Sequence, residues 1–235
     1  MRIRKFRLIA FLFTFTSLSI IHYSAKGQDW PGLERYKNEN LQVIPPKPNE
    51  QRVVFMGNSI TDFWIRISPD FFKGKPYIDR GISGQTSPQM LVRFRADVIN
   101  LKPAVVVILA GTNDIAGNTG PSTLEMIEDN IMSMSELARA NGIKAVLSSV
   151  LPAYAFPWKP GVEPAEKIAV LNTWIKSYAD KNNFTYLDYY SSMVDERKGL
   201  KSEYSKDGVH PNAAGYKVME GLVEKAIAKA LRSKK

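Results

Sequence analysis

The chain has two histidines, His22 and His210, through which it could carry out serine–histidine chemistry. His22 lies in an apolar N-terminal stretch of the kind that is removed on export. Serine–histidine chemistry in a mature protein would therefore have to use His210. One histidine also disfavours a multi-histidine zinc site. The chain has no cysteine, which excludes disulfides, a thiolate nucleophile and a cysteine-ligated metal.

His210 lies in the stretch DGVHPN, which also carries a carboxylate. Pro211 disfavours helical dihedrals at the residue before it, so we expect His210 on a loop just before the last helix. Asp207 comes three residues earlier, across a glycine, where it could fix the tautomer of the imidazole and stabilise the imidazolium. The same residues are also compatible with a solvent-exposed turn before a helix.

Ser59 follows a short apolar run in the stretch VVFMGNSITDFW, at a predicted strand-to-helix turn. Ser59 and Asp62 match a capping box, in which the serine caps the helix and the carboxylate faces its N-terminal dipole. A nucleophile would also be well placed here, because free backbone N–H groups at a helix start can stabilise an oxyanion. Thr61 stands where the nucleophile elbow of α/β-hydrolases has its second glycine, so Ser59 does not belong to that motif.

Two further turns carry small polar residues that could complete such a site. Asn113, in AGTND, could donate its side-chain N–H to an oxyanion, or it could begin a helix or an Asx-turn. Gly81 and Gly84, in RGISGQTS, allow either a flexible turn or a backbone N–H that points into the site.

Short apolar runs alternate with segments of helical periodicity from Val53 onward. The runs predict strands at Val53–Met56, Tyr77–Asp79, Ala104–Ala110, Lys144–Ser148 and Thr185–Leu187. Apolar stripes predict helices through Leu91, Phe94 and Val98; Leu124, Ile127, Ile131 and Met134; Ile168, Leu171, Ile175 and Tyr178; and Val218, Leu222, Ala226 and Ala230. Continuous apolar strands that alternate with helices indicate a parallel sheet covered on both faces. Ligands of such sheets bind at the carboxyl ends of the strands, where the polar turns lie.

The N-terminal segment predicts export. Residues 1–27 carry Arg2, Arg4, Lys5 and Arg7, then an apolar run from Leu8 to Ile21, and small residues at Ala25 and Gly27. This is the order of a cleaved signal peptide, and the apolar run is short for a membrane span of about 20 residues. We therefore expect a periplasmic or extracellular protein without stable membrane insertion after cleavage.

Cleavage also changes the charge of the chain. Removing five of the 32 basic residues, with no acid among residues 1–27, leaves 27 bases against 23 acids, a net charge of +4. Because no long basic cluster remains, we expect no nucleic-acid partner.

Residues 28–50 are rich in proline and polar groups and predict an extended lead-in. Residues 51–235 then form one domain.

Four stretches in this order resemble the blocks of the SGNH hydrolases, also called the GDSL family of esterases and lipases. They read FMGNSIT, RGISGQT, LAGTND and DGVHPN, and the resemblance covers nearly all of the chain from Val53 onward. It implies a flavodoxin-like three-layer α/β/α sandwich with a central parallel sheet of about five strands. Asn58 departs from the family, whose first block usually reads Gly-Asp-Ser, and removes a charge beside the serine.

The resemblance also implies roles for individual residues. Ser59 resembles the nucleophile, His210 the general base and acid, and Asp207 its partner. The backbone N–H groups of Ser59 and Gly81 and the side chain of Asn113 resemble the oxyanion donors. The implied reaction is acyl transfer to serine followed by hydrolysis, and it requires no metal or cofactor.

The substrate is predicted less directly. Aromatic residues at Trp64, Tyr154 and Trp158 could stack on sugars or line an acyl pocket, and they could equally be structural. No long apolar lid segment is visible, which favours a small-molecule or glycan ester with a short acyl group, such as acetyl on carbohydrate. The alternatives are a lysophospholipase, thioesterase or platelet-activating-factor-acetylhydrolase-like enzyme, and a non-catalytic carbohydrate-binding protein on the same fold.

Overall fold

The computed structural model of the protein describes residues 29–233, so the predicted signal peptide lies outside the described residues. The strands are β1 (Val53–Gly57), β2 (Tyr77–Gly81), β3 (Val105–Leu109), β4 (Lys144–Ser148) and β5 (Thr185–Leu187). The helices are α1 (Lys37–Gln42), α2 (Ser59–Ile67), α3 (Ser87–Asp97), α4 (Thr112–Ile115), α5 (Leu124–Ala140), α6 (Pro164–Lys181), α7 (Tyr190–Met193) and α8 (Ala213–Arg232). Short 3₁₀ helices lie at Pro69–Phe71 and Ile99–Leu101. Among these helices, none is long and apolar enough to cross a membrane.

The five strands form one parallel sheet in the order β2-β1-β3-β4-β5. This confirms the predicted flavodoxin-like sandwich. The order reverses between β1 and β3, and a ligand crevice opens at such a switch point, outside the carboxyl ends of the strands. Gly57 at the end of β1 pairs in register with Gly81 of β2 and Leu109 of β3. The turns after these strands therefore meet at one edge of the sheet.

Two apolar layers cover the sheet, one on each face. Side chains of α3, α5 and α6 pack on one face with Val54 and Met56, and side chains of α2 and α8 pack on the other with Val53 and Phe55. All residues of β1 and β3 are buried, as expected for strands without a solvent-facing side. The rigid core thus holds the turn after β1 from both sides.

Two local features differ from the sequence-based expectations. The lead-in at 28–50 is not wholly extended, because α1 lies within it and packs near α3. In α8, Val218 and Leu222 are only partly buried, and the inward stripe runs through Met219 and Val223 instead. Ala226 and Ala230 are buried as predicted, so only the first half of the predicted stripe lies at the edge of the buried face, since alanines and glycines on several faces of α8 blur its apolar periodicity.

Candidate active site

Ser59 is the first residue of α2, and the residue before it is the helix cap. The Asn58 Oδ1 accepts the N–H of Ile60 at 3.1 Å, and the Asn58 carbonyl accepts the N–H groups of Thr61 at 3.1 Å and Asp62 at 2.9 Å. The capping role that the sequence allowed for Ser59 therefore belongs to Asn58. The Ser59 hydroxyl is left for another partner.

That partner is His210. The Ser59 Oγ lies 2.9 Å from the His210 Nε2, and the His210 Nδ1 lies 2.7 Å from the Asp207 Oδ2. Residues 151 positions apart in sequence are thus joined in one hydrogen-bonded line of hydroxyl, imidazole and carboxylate. Because Nδ1 faces a carboxylate, the neutral ring carries its proton there and presents Nε2 as an acceptor to the hydroxyl.

The loop before α8 fixes the Asp207 carboxylate. Its Oδ1 accepts the backbone N–H groups of Val209 at 2.9 Å and His210 at 2.8 Å. Burial alone would raise the pKa of Asp207, but the hydrogen bonds from His210 and from these N–H groups outweigh it and lower the pKa to about 2. Ser205 supports the loop, since its Oγ accepts the Gly208 N–H at 3.0 Å and lies 2.8 Å from the His210 carbonyl. Sequence reasoning did not identify Ser205.

Gly81 does not offer a free N–H, so its predicted place among the oxyanion donors is wrong. Its N–H donates to the Asp79 Oδ1 at 2.7 Å. The glycine is required for a different reason, because a Cβ at Gly81 would lie 2.0 Å from the backbone nitrogen of Asp62. Gly81 lets β2 approach α2, and the sequence alone could not show that Asp79 already occupies its N–H.

The donors that remain lie on three adjoining turns. Among the described residues, the N–H groups of Ser59 and Gly84 have no protein acceptor. The Asn113 side chain is buried and donates one N–H to the Gln85 carbonyl at 2.9 Å, which leaves its second N–H. The Ile82 N–H donates to the Gly57 carbonyl at 3.1 Å, so the turn that carries Gly84 lies directly beside the end of β1.

Asp114, next to Asn113, ties the same edge of the sheet together. Its carboxylate accepts the Ser87 N–H at 2.9 Å and the Ser87 hydroxyl at 2.6 Å. Asp114 is buried, which raises the pKa of its carboxyl, and it satisfies the N–H of Ser87 in the first turn of α3. Of the stretch TND, Asn113 is therefore a candidate oxyanion donor, and Asp114 holds the start of α3 against the turn after β3.

Two aromatic rings flank the imidazole. The Phe63 ring centroid lies 5.3 Å from that of His210, and the Trp158 centroid lies 6.0 Å from it on the loop between β4 and α6. Trp158 is 41% exposed and stacks on Phe156 at 5.0 Å, while its Nε1–H donates to the Asn118 Oδ1 at 3.1 Å. Phe63 was missed, although it follows Ser59 by four residues and so shares its face of α2.

The other predicted aromatic contacts are not at the site. Trp64 is 2% exposed and packs between Phe71 and Tyr216 in the core beneath α2, so the prediction that it binds substrate is wrong. Successive residues of a helix are rotated by about 100°, which turns Trp64 away from the face of α2 that carries Phe63. Tyr154 is 58% exposed and lies under the Arg197 guanidinium at 5.5 Å, and among the described aromatic residues the rings paired with His210 are those of Phe63 and Trp158.

Beneath the site lies a buried carboxyl that the proposed chemistry does not use. The Asp79 Oδ2 has no hydrogen-bond partner among the described residues. Burial raises the pKa of Asp79 to about 7, although the Gly81 N–H opposes the shift. The unfolded chain ionises this carboxyl at an ordinary pKa of about 4, so stability falls as the pH rises between about 4 and about 7.

We expect Asp79→Asn to flatten this pH dependence, because the amide keeps an oxygen for the Gly81 N–H and cannot ionise. Three pH units between the two pKa values correspond to an upper limit of about 4 kcal/mol, reached above about pH 7. Urea unfolding from about pH 4 to about pH 8 measures the change, with Asp70→Asn at an exposed position as the control. Parallel stability curves for Asp79→Asn and wild type would contradict the assignment.

Comparison with known proteins identifies the family. The model of the GDSL-like Lipase/Acylhydrolase family matches residues 55–218. A Bacteroides fragilis structure, provisionally described as an acylhydrolase, is 56% identical with a TM-score of 0.86 and covers 87% of this chain and 100% of its own.

Curated relatives extend the comparison. The esterase TesA of Pseudomonas aeruginosa is 38% identical over 187 residues, which are 74% of this chain and 86% of that protein. Human platelet-activating factor acetylhydrolase IB subunit alpha2 is 25% identical over 80% of this chain and 82% of its own. A partial match, 31% identical over 93 residues, spans 38% of this chain and 38% of an uncharacterised Bacillus subtilis lipoprotein. The chain belongs to the GDSL-like lipase/acylhydrolase family and is a carboxylic ester hydrolase.

Proposed function

We propose that Ser59, His210 and Asp207 are the catalytic triad of a serine esterase. The observation that carries this proposal is the hydrogen-bonded line from the Ser59 Oγ through the imidazole to the Asp207 carboxylate, at 2.9 Å and 2.7 Å. His210 takes the hydroxyl proton as the Ser59 Oγ attacks the ester carbonyl, and the tetrahedral intermediate then expels the alcohol, which receives that proton. Water activated by His210 hydrolyses the acyl-enzyme and regenerates Ser59.

The oxyanion is proposed to bind the N–H groups of Ser59 and Gly84 and the second amide hydrogen of Asn113. Two of these donors have no acceptor among residues 29–233, and the third lies on a side chain anchored by its other hydrogen. Such donors are in place before the reaction begins, which is what electrostatic stabilisation of a developing charge requires. Asp207 stays ionised at neutral pH because of its low pKa, so it can stabilise the imidazolium.

The substrate proposed is a carbohydrate ester with a short acyl group such as acetyl. Trp158 supports this, since it presents a partly exposed ring beside His210 and is held there by Asn118. A planar aromatic ring offers an apolar face to the C–H face of a sugar. A relative named as an acetylhydrolase supports an acetyl group, and it also favours lipid esters as the second candidate.

Two measurements test this proposal: the dependence of activity on the length of the acyl group, and the activity on acetylated oligosaccharides. We expect kcat/KM for p-nitrophenyl esters to fall from acetate to octanoate. We also expect Trp158→Ala to raise KM for acetylated oligosaccharides about tenfold, equivalent to about 1.4 kcal/mol, and to leave KM for p-nitrophenyl acetate within about twofold. Trp158→Phe keeps an aromatic face and Tyr154→Ala removes a ring away from the site, so both serve as controls. A preference for long acyl chains would support the lipid-ester alternative instead.

Export is proposed from the basic, apolar and small-residue order of residues 1–27, which is that of a cleaved signal peptide. The partial likeness to a lipoprotein supports the same compartment. Expression of the full chain with fractionation of the culture, followed by N-terminal sequencing, tests this. We expect a mature N-terminus close to Gln28 in the exported fraction.

A further inference from the structure

The segment that precedes α1 contacts the backbone of the turn beside Ser59. We call residues 29–36 the N-terminal strap and residues 82–86 the donor turn. The Gln85 Nε2 donates to the Pro31 carbonyl at 2.6 Å, and the Gln89 Nε2, at the start of α3, donates to the Trp30 carbonyl at 2.6 Å. The strap is therefore held against the donor turn and the start of α3 by directional hydrogen bonds.

Gln85 connects the strap to two parts of the proposed site. Its Oε1 accepts the Arg93 Nε–H at 2.6 Å, and its backbone carbonyl accepts the Asn113 Nδ2–H at 2.9 Å. The same Arg93 guanidinium donates to the Gly57 carbonyl at 3.0 Å, at the end of β1. Gln85 and Arg93 are both buried, so these bonds form away from solvent, where their loss is costly.

Tyr36, at the other end of the strap, fixes the peptide where the donor turn begins. It is 7% exposed, and its hydroxyl donates to the Gly81 carbonyl. The N–H of the same glycine donates to Asp79, so side chains hold Gly81 through both its N–H and its carbonyl. Burial raises the pKa of the Tyr36 hydroxyl, which keeps it protonated as a donor at neutral pH.

The strap also has to lie close to the donor turn. Gly32 has a φ of +70°, and a Cβ at this position would lie 3.0 Å from the Gln85 Nε2 and 3.3 Å from the Ile82 Cδ1. Only glycine combines this backbone conformation with this approach without strain. The strap is thus shaped to fit the donor turn.

We propose that the N-terminal strap positions the oxyanion donors, with Tyr36 of the strap and Gln85 of the donor turn as the positioning residues. This inference rests on the proposed function, because it assigns the strap to the Gly84 and Asn113 donors. Neither Tyr36 nor Gln85 touches the reacting atoms; they act by holding the donor turn and the Asn113 amide. Small displacements of such donors weaken the oxyanion contact more than they weaken substrate binding, so the effect falls on kcat.

The test compares Tyr36→Phe with Tyr77→Phe. The control removes a hydroxyl of the same type on β2, where the Tyr77 Oη donates to the Glu224 Oε2 at 2.9 Å, away from the donor turn. We expect Tyr36→Phe to lower kcat for p-nitrophenyl acetate about tenfold with KM within about twofold, and Tyr77→Phe to leave both unchanged. Gln85→Glu, which keeps the acceptor for Arg93 and loses the donor to Pro31, should lower kcat at least as much.

The outcomes separate this inference from the proposed function. Melting temperatures of all variants show whether each is folded, and wild type and Ser59→Ala are assayed beside them. If wild type is active, Ser59→Ala is inactive, and folded Tyr36→Phe and Gln85→Glu keep kcat within about twofold, the strap does not position the donors and the triad stands. Equal kcat losses in Tyr36→Phe and Tyr77→Phe would also overturn the inference. Inactive wild-type protein would overturn the proposed function and this inference with it.

Discussion

Ser59→Ala is expected to lower kcat for p-nitrophenyl acetate by at least about 10⁴-fold, with little change in the melting temperature. In the part of the chain that the structure describes, the Ser59 Oγ hydrogen-bonds only to the His210 ring, and the cap of α2 is Asn58. Removing the hydroxyl therefore deletes the proposed nucleophile without exposing a buried partner.

The size of this loss distinguishes covalent catalysis from weaker mechanisms. If His210 acted as a general base on water alone, the alanine variant would retain much of its rate. The matched control, which also replaces a serine by alanine, is Ser191→Ala. The Ser191 hydroxyl lies on the surface and donates to the Asp188 carboxylate at 2.7 Å. We expect this variant to match wild type. Residual activity of Ser59→Ala above about one hundredth of wild type would contradict the nucleophile assignment.

Asp207→Asn is expected to lower kcat about 10⁴-fold while the protein stays folded. The asparagine oxygen can still accept the N–H groups of Val209 and His210, which preserves the loop. Its amide nitrogen would face the His210 Nδ1 and donate a hydrogen to it. The neutral ring would then carry its own proton on Nε2 and could not take the proton of Ser59.

Asp195→Asn provides the matched control for this change. The Asp195 Oδ1 also accepts two backbone N–H groups, those of Arg197 at 2.9 Å and Gly199 at 2.7 Å, and no histidine faces it. Asp195 and Asp207 each accept two backbone N–H groups through Oδ1, so both substitutions change a carboxylate that holds a loop. Equal kcat values for Asp207→Asn and Asp195→Asn would show that Asp207 serves only the loop.

Much of the fold could be predicted from sequence because its signals are local. All five predicted strands are present, since continuous apolar runs of this length between helical stripes have few other structures. Ser59, Asp207 and His210 were identifiable because a chain with one histidine outside the predicted signal peptide leaves few combinations. The sequence could not show that these three side chains lie within hydrogen-bond distance of one another, since this depends on where α8 begins relative to α2.

The predictions that differ from the structure concern residues whose role depends on a hydrogen-bond or packing partner elsewhere in the chain. Gly81 and Gly84 are equivalent in the sequence, and only the bond from Gly81 to Asp79 separates them. Trp64 and Phe63 are adjacent aromatic residues, yet one faces the core and the other faces His210. Asn58 stands where the family usually has aspartate, and it still caps α2. The Asn58 Oδ1 accepts the Ile60 N–H, as an aspartate oxygen would.

Covalent labelling with an alkyl fluorophosphonate tests the central claim most directly. The reagent phosphonylates a serine only when a base activates it and donors stabilise the resulting oxyanion. We expect one adduct per wild-type chain, mapped by peptide mass spectrometry to Ser59, and none in Ser59→Ala. An adduct on a different residue, or no adduct on folded wild-type protein, would contradict the claim that Ser59 is the activated nucleophile.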